Sequence, residues 1–355
     1  MKKKVLIIRY GAYGDAIYNL ALIEHVLRLF PTALIHVEAN FRTGQILQHH
    51  PGVSAYSFYD PDTGPAKTRW ARARERWAEL EADLLPDVVV NLQNTIERGC
   101  VATDDMPEFW GPPEHRSRLF GNRSFYTYQF EKFGLVPPDQ DDLAAGGLGS
   151  MGFTPEEDAW GRQWRRQHKN DFVIVMAVSG STAQKAIPIL EPIGKWLVDN
   201  YKDAVVYLAG DAQAESGAWK YHRTFSTIGR GPFRQLALMT RYTDLVIGPE
   251  TGLVAAAGMW GTPKIYLATS SSVHQLTHLT RHDYSVQSWA GCSPCYRSCF
   301  RPDCCPQTEK HQPLCVTCFD FGEIAEKIGR VYETSRFSLR VNDFPWESDP
   351  VQAGK

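Results

Sequence analysis

The stretch from Asp244 to Thr269 constrains the fold more than any other part of the chain. Its sequence, DLVIGPETGLVAAAGMWGTPKIYLAT, predicts a short buried strand, a turn around Gly248-Pro249-Glu250, a helix of small residues and a second buried strand. In such a unit the turn lies at the carboxyl end of a parallel strand, where the free N–H groups of the next helix form a site for an anion. The polar pair Glu250-Thr251 at this turn favours an anion site over the alternative, an ordinary buried β-α-β unit.

Apolar strands and helical patterns alternate along the chain, which predicts parallel sheets with right-handed crossovers. Strands are predicted at Val5–Ile8, Leu34–Glu38, Ala55–Tyr59, Val88–Leu92, Phe172–Val178, Ala204–Ala209, Phe225–Ile228, Leu245–Ile247 and Ile265–Ala268. The small-residue segment Leu143–Pro155 breaks the alternation and predicts a linker. We therefore expect an α/β protein with one domain over residues 1–150, a second over residues 151–333 and a tail over residues 334–355.

Composition disfavours several classes of protein. The 355 residues, 43% of them hydrophobic, are enough for two domains. The 38 basic and 40 acidic residues nearly balance, so the chain has no general attraction for nucleic acid or for an anionic membrane. Arg9 interrupts the first apolar run, which favours a strand over a signal peptide, and no segment is long and apolar enough to span a membrane. We expect a cytoplasmic protein with at most a peripheral membrane contact.

The first predicted strand-to-helix turn combines a carboxylate with glycines and aromatic side chains. Gly11 and Gly14 are present, but the three-glycine fingerprint of dinucleotide-binding proteins is not, which disfavours a nicotinamide enzyme. Asp15 stands where the helix begins, so it is either a cap for that helix or a base that takes a proton from a hydroxyl. Arg9 and Tyr13 in the same turn favour the second interpretation.

Six segments of the chain resemble glycosyltransferase family 9, the heptosyltransferase family. They are Arg9–Pro31 (RYGAYGDAIYNLALIEHVLRLFP), Val88–Asn94, Phe120–Gln129, Ser179–Leu197, Leu208–Asp211 and Asp244–Thr269. They follow one another in the order that the family has, across most of the chain. The resemblance implies a GT-B fold, in which two Rossmann-like domains face each other across a cleft.

The same resemblance implies roles for individual residues. Asp15 matches the general base, Lys185 matches the cation at the donor phosphates, and Thr251-Gly252 matches the helix start that binds the diphosphate. Ser181 matches a hydroxyl that contacts the phosphates. We therefore expect a donor site of Ser181, Thr182, Lys185, Asp211, Glu250, Thr251 and Gly252 and an acceptor site of Arg9, Tyr13, Gln93, Arg98 and Arg123.

These roles agree with the chemistry of sugar transfer. Displacing a nucleoside diphosphate requires a deprotonated acceptor hydroxyl on one face of the sugar and stabilised negative charge on the other. Asp15 would supply the base, while Lys185 and the N–H groups after Glu250 would stabilise the charge without a divalent metal. The acidic turn Asp60-Pro61-Asp62 offers the alternative of a metal-binding carboxylate pair, although such a sequence is more typical of a proline turn.

Two departures from the family's pattern concern the substrates. Glu250 stands where the family has Asp, and Ala255 stands where it has His, so the donor contacts are altered. Glu97, followed by Arg98, stands where enzymes of the lipopolysaccharide inner core have a Lys that meets an acidic sugar. Because an acid would repel an acidic acceptor, the sequence disfavours a Kdo acceptor.

Seven of the eight cysteines lie within Cys292–Cys318. The pairs Cys292-x-x-Cys295 and Cys315-x-x-Cys318 have the spacing of a tetrahedral metal site. In a reducing compartment we expect these thiolates to bind structural zinc or iron rather than to form disulfides, with Cys299, Cys304 and Cys305 as alternative ligands. This cysteine finger resembles the iron-binding finger of bacterial autotransporter heptosyltransferases, a branch that modifies proteins.

The segment Lys67–Leu85 mixes five basic residues with Trp70 and Trp77. It predicts either a basic amphipathic helix that contacts a membrane or an anionic partner, or a solvated helix whose tryptophans face the core. The second alternative is the more common one for a helix of this kind.

The sequence as a whole predicts an inverting, metal-independent glycosyltransferase. We expect a nucleotide-sugar donor, with ADP-heptose the leading candidate, a glycan or protein acceptor, and assembly as a homo-oligomer. One alternative is a different nucleotide sugar with a protein, glycan or nucleic-acid acceptor. The other is a non-catalytic scaffold with the GT-B fold, whose cysteine finger binds a partner.

Overall fold

A computed structural model gives the structure of the protein for residues 2–60, 66–92, 124, 127, 130, 149–210, 219–296, 305–309 and 312–340, except for the side chains of residues 66–70 and 337–340. Several predictions concern residues outside these ranges, namely those on Asp62, Gln93, Glu97, Arg98, Arg123, Asp211, Cys299 and Cys304 and on residues 143–148 of the predicted linker.

Four parallel strands form the N-terminal sheet in the order β3-β2-β1-β4. The elements are β1 (Lys4–Arg9), α1 (Tyr13–Leu29), β2 (Leu34–Ala39), α2 (Phe41–Leu47), β3 (Val53–Phe58), α3 (Ala66–Leu84) and β4 (Val88–Asn91). The central strand β1 is an unbroken apolar run, Val5–Ile8, because both of its faces are covered. Parallel strands end at the same edge, so the turn that contains Asp15 lies at the carboxyl edge of this sheet.

Six parallel strands form the C-terminal sheet in the order β10-β9-β8-β5-β6-β7. The elements of this half are α4 (Pro155–Gln167), β5 (Phe172–Ala177), α5 (Leu190–Asn200), β6 (Ala204–Ala209), β7 (Thr224–Ser226), α6 (Phe233–Arg241), β8 (Leu245–Gly248), α7 (Gly252–Trp260), β9 (Lys264–Ala268), α8 (Val273–Thr277), β10 (Val286–Gln287), β11 (Thr308–Glu309), β12 (Gln312–Pro313) and α9 (Phe321–Arg340). The strands β11 and β12 lie outside the six-stranded sheet and pair with each other in antiparallel orientation. The strand order reverses between β5 and β8, and in open α/β sheets ligands bind in the crevice at such a point.

The predicted α/β fold with parallel sheets is confirmed, and most of the predicted strands are found within about two residues of their expected bounds. The strand predicted at Phe225–Ile228 ends earlier, at Ser226, since the chain turns at Gly229 with a φ of 64°. The two-residue strand β10 and the short helix α8 carry too few apolar residues to be predicted from periodicity.

The helix α3 packs on the N-terminal sheet through its apolar side. Trp77 is 8% exposed and packs with Leu6 and Ile8, and the Arg76 Nε donates to the buried Glu38 carboxylate over 3.3 Å. Trp77 therefore faces the core, in agreement with the second alternative for this segment. In the part of the chain that the structure describes, no helix is both long and apolar enough to cross a membrane.

Hydrogen bonds of α1 and α2 connect the two halves of the chain. The Tyr18 hydroxyl lies 3.3 Å from the Tyr266 hydroxyl, and the Arg234 Nη1 donates to the Gln45 carbonyl over 3.0 Å. The helices α1 and α7 approach closely at glycines, since a β-carbon on Gly14 would lie 3.6 Å from the Gly252 Cα. These contacts hold the carboxyl edges of the two sheets on either side of one cleft.

Candidate active site

A cleft of about 360 Å³ lies between the two sheets at their carboxyl edges. Predicted site residues from both halves of the chain line it, namely Tyr13, Asp15, Ser181, Lys185, Glu250, Thr251 and Gly252. Two further lining residues, Arg42 and Arg230, were not predicted from the sequence. The structure thus brings a carboxylate from the N-terminal half to the same cavity as cationic and hydroxyl groups from the C-terminal half.

Asp15 is held at the start of α1 through one of its two carboxylate oxygens. The Arg9 Nη2 lies 2.9 Å from the Asp15 Oδ2, and the backbone N–H of Ala12 donates to the same oxygen over 3.0 Å. Asp15 therefore has both of the roles that were considered separately, since it caps the helix and also borders the cleft.

The structure corrects the expected position of Arg9. This side chain is 4% exposed, and its Nη1 donates to the Leu92 carbonyl over 2.5 Å. Leu92 follows β4, the neighbour of β1 in the sheet, so the guanidinium points behind Asp15 and does not line the cleft. The Arg9 guanidinium thus contacts Asp15 and is not among the residues that line the cleft.

Two residues of the C-terminal half, Thr182 and Thr251, carry buried hydroxyls, and Thr251 is the one that lines the cleft. Thr251 is the N-cap residue of α7, and Thr182 is the N-cap residue of a 3₁₀ turn at Ala183–Lys185, yet neither side chain makes a cap hydrogen bond. Both Oγ1 atoms are buried and have no hydrogen-bond partner among the residues that the structure describes. A buried hydroxyl without a partner costs about 1–3 kcal/mol, so the Thr251 Oγ1 favours a polar ligand bound in the cleft.

Lys185 enters the cleft from the end of this 3₁₀ turn. The residue is only 7% exposed, and a β-carbon on Gly180 would lie 2.5 Å from its Cδ. Glycine at position 180 therefore lets the lysine stem lie against the backbone. Lys185 is thereby placed among the residues that line the cleft.

Glu250 is a buried carboxylate of the turn after β8. It is 7% exposed, and one of its oxygens accepts a hydrogen bond from the Ser271 Oγ over 2.8 Å. The Glu250 side chain is thus hydrogen-bonded to the loop after β9.

Arg42 and Arg230 could have been found from topology. Arg42 follows the carboxyl end of β2, and Arg230 follows the carboxyl end of β7, at the same edges that carry Asp15 and Lys185. Gly229 and Gly231, with φ of 64° and 74°, flank Arg230 and turn this loop toward the cleft. Both arginines are exposed, so the cleft has a basic mouth.

The predicted metal site is not confirmed. Within the described ranges, no three or more His, Cys, Asp or Glu side chains are placed to hold one metal ion. Cys315 and Cys318 are buried in the C-terminal core, whereas Cys292 and Cys295 are half-buried at its edge. Burial, with a smaller effect of the neighbouring Cys295, Cys292 and Cys305, raises the pKa of Cys315 to about 12, so in this arrangement its sulfur holds its proton. Sulfur donors suit zinc or iron, but the side chains as placed do not form a closed site.

The sequence matches no model of a known protein family and no curated protein. Solved structures do match. A family 9 glycosyl transferase from Veillonella parvula has a TM-score of 0.66 and 13% identity, covering 94% of this chain and 97% of the other. The Escherichia coli ADP-heptose LPS heptosyltransferase II has a TM-score of 0.61 and 15% identity, covering 95% and 100% of the two chains.

A third similar structure contains a metal. It is TibC, an iron-containing dodecameric glycosyltransferase of enterotoxigenic Escherichia coli, with a TM-score of 0.57, 13% identity and coverage of 94% of this chain and 78% of the other. At these identities the likeness concerns the fold alone. The chain therefore has the fold of these glycosyltransferases over nearly its whole length.

Proposed function

We propose that the protein is a glycosyltransferase that moves a sugar from a nucleotide-sugar donor to an acceptor hydroxyl. The observation that carries this proposal is the shared cleft, in which Asp15 from one half of the chain faces Lys185 and Thr251 from the other. Its volume of about 360 Å³ lies within the range of small-molecule sites. The fold shared with known glycosyltransferases supports the same assignment.

In the proposed reaction the acceptor hydroxyl gives its proton to the Asp15 carboxylate. Its oxygen then forms a bond to the anomeric carbon while the bond from that carbon to the diphosphate oxygen breaks, which inverts the configuration. The electron pair leaves with the diphosphate, whose charge Lys185 and the free N–H groups at the start of α7 stabilise. A positioned base contributes about 10²–10⁴-fold, so orientation and electrostatics must supply the rest.

Buried hydroxyls of the C-terminal half support the assignment of the donor side. The Thr251 Oγ1 lies at the start of α7 and lines the cleft together with Lys185, so a phosphate oxygen placed there would accept its hydrogen bond. Thr182 is proposed as a further donor residue because its buried Oγ1 lies at the start of the 3₁₀ turn that ends at Lys185. We propose ADP-heptose as the leading donor because a structurally similar enzyme is named for it. Another nucleotide sugar remains the alternative, since Glu250 replaces aspartate and is tied to Ser271.

The acceptor side is assigned to the N-terminal half, residues 1–150, and the donor side to residues 151–333. Among the described residues of the N-terminal half, Tyr13, Tyr18 and Arg42 line the cleft with polar side chains besides Asp15, and we propose Tyr13 and Arg42 as acceptor residues because the Tyr18 hydroxyl pairs with that of Tyr266. We propose a glycan or protein acceptor, a cytoplasmic location and assembly into a homo-oligomer, the last because one similar enzyme is dodecameric.

We also propose that Cys292, Cys295, Cys315 and Cys318 bind one structural zinc or iron ion, with Cys305 as the alternative ligand. The support is the mutual proximity of these sulfurs, each close enough to affect the electrostatics of Cys315 or Cys292, together with the spacing of the pairs. Metal binding would require the thiols to lose their protons and close around the ion.

The proposed function is tested by incubating the purified protein with a panel of nucleotide sugars, including ADP-heptose, and candidate acceptors. Mass spectrometry detects sugar transfer, and a coupled assay detects the released nucleoside diphosphate. Transfer from one donor class supports the proposal. A protein that binds nucleotide sugars but turns none over would be a scaffold, the alternative that the altered turn at Glu250 favours.

A further inference from the structure

We infer that Arg9 is the positioning residue for the proposed general base. In this inference, which rests on the proposed function, Arg9 holds Asp15 by one oxygen so that the other oxygen receives the acceptor proton. From the sequence, Arg9 is expected to lie at the acceptor site and is assigned no role at Asp15.

The two oxygens of the Asp15 carboxylate are in different surroundings. Oδ2 meets both the Arg9 Nη2, at 2.9 Å, and the N–H of Ala12, at 3.0 Å. Oδ1 makes no hydrogen bond with any residue in the described part of the chain. Because Asp15 borders the cleft and its side chain is 16% exposed, Oδ1 is the oxygen left to meet a hydroxyl there.

Arg9 is held both at its backbone and at its guanidinium. Its backbone carbonyl accepts a hydrogen bond from the Thr43 Oγ1 over 2.8 Å, its Nη1 donates to the Leu92 carbonyl over 2.5 Å, and the residue is 4% exposed. Burial and the bond to Leu92 therefore restrict movement of the guanidinium. A fixed donor on Oδ2 restricts the carboxylate to one orientation, which is what a base requires for a short, aligned proton transfer.

Gly11 completes this arrangement. A β-carbon at position 11 would lie 2.6 Å from the Asp15 Oδ2 and 3.3 Å from the Arg9 Nη2, so only glycine lets the turn pass beside the ion pair. Its φ is not in the left-handed region, so alanine would be tolerated by the backbone itself. Gly11→Ala is therefore a way to displace Oδ2 without removing either charge.

During transfer the proton moves from the acceptor hydroxyl to Oδ1, and Asp15 becomes neutral. Arg9 keeps its proton throughout and stays bonded to Oδ2 and to the Leu92 carbonyl. Arg9 thus neither gives nor takes a proton, and its contribution is geometric. A purely structural ion pair would have the same contacts but no effect on the rate of the bound complex.

The test compares Arg9→Ala, Arg9→Lys, Gly11→Ala and Asp15→Asn in steady-state transfer, with donor affinity measured by calorimetry and folding checked by thermal unfolding. We expect Arg9→Ala and Gly11→Ala to lower kcat about 10- to 100-fold while the donor Kd changes less than about twofold. Guanidinium ion added to Arg9→Ala should restore part of kcat, and Arg9→Lys should be intermediate.

Wild-type kcat in both Arg9→Ala and Gly11→Ala, with Asp15→Asn inactive, would overturn the inference and leave the proposed base in place. A fully active Asp15→Asn would overturn the base assignment and the inference with it. If Arg9→Ala does not fold, the kcat of Gly11→Ala alone tests the inference, because this variant keeps the charges of both Arg9 and Asp15.

Discussion

The rings of Tyr13 and Phe233 stack face to face across the cleft, with centroids 3.9 Å apart and planes inclined by 2°. Tyr13 belongs to α1 of the N-terminal half and Phe233 to α6 of the C-terminal half. Both residues also line the cavity, so this contact sets the distance between the proposed base and the donor wall.

The first prediction is that Tyr13 and Phe233 are energetically coupled, which a double-mutant cycle measures. Stacked aromatic pairs contribute about 0.5–1.5 kcal/mol beyond the area they bury, so Tyr13→Ala and Phe233→Ala should show a coupling of that size in the free energy of unfolding. Denaturant titration of the two single variants and the double variant measures it. Additive effects would mean that the two halves are not held in this arrangement in solution.

The second prediction concerns Asp15. Asp15→Asn keeps the size of the side chain but removes the carboxylate, so transfer should fall at least about 100-fold while the donor Kd stays nearly unchanged. Product formation by mass spectrometry and calorimetric titration with donor measure the two quantities. A variant that retains more than about a tenth of the wild-type rate would assign Asp15 to helix capping alone.

The third prediction concerns Lys185. Lys185→Ala removes the ammonium group from the donor wall, so both donor affinity and kcat should fall, because a diphosphate carries charge before and after the bond breaks. Lys195→Ala is the matched control, since Lys195 is 55% exposed and pairs with Asp199 on the outer side of α5. Equal affinities and rates in the two variants would remove Lys185 from the site.

The fourth prediction concerns the cysteine finger. Metal analysis of protein purified under reducing conditions should find about one zinc or iron per chain, and Cys315→Ser should lose the metal together with thermal stability. The proposed ion is structural, so donor turnover by the remaining folded protein should persist. Absence of metal, combined with thiol counting that shows the cysteines oxidised in pairs, would replace the proposed site by disulfides.

The sequence predicted the groups of the cleft better than their contacts. Asp15, Lys185 and Thr251 could be brought together from the sequence because parallel strands end at one edge, whatever the details of packing. The direction of the Arg9 side chain could not be predicted, since it depends on the carbonyl of Leu92. This residue follows β4, which comes next to β1 only in the folded sheet. The hydrogen bond from Ser271 to Glu250 could not be predicted either, because it joins two loops and no sequence pattern indicates that they meet.

The last prediction concerns Lys264, which begins β9 at the end of the strand opposite the cleft. Its side chain is fully buried and its Nζ donates to the Arg281 carbonyl over 2.9 Å. Burial lowers the pKa of Lys264 from its ordinary value of 10.5 to about 8, although the nearby Asp283 acts in the opposite direction.

The sign of the pH effect follows from this lowered pKa. Below pH 8 the lysine is protonated in both the folded and the unfolded chain, so the fold bears a constant cost of about 3 kcal/mol for a buried charge. Between pH 8 and 10.5 the folded chain releases the proton first, so the contribution of Lys264 to stability rises with pH. Above that range both states are neutral and the cost disappears.

Lys264→Met removes this titration while keeping a side chain of similar length. The free energy of unfolding of Lys264→Met minus that of the wild type should therefore be largest near pH 7 and should decrease by roughly 2–3 kcal/mol as the pH is raised to 10. Denaturant titrations at unit intervals of pH measure this difference. Loss of the hydrogen bond to the Arg281 carbonyl changes the difference by the same amount at every pH, so it does not affect the pH dependence. Lys195→Met serves as the control, because Asp199 raises the pKa of Lys195 and moves its titration above this range. A difference that stays constant from pH 7 to 10 would show that Lys264 is not buried as a charged group.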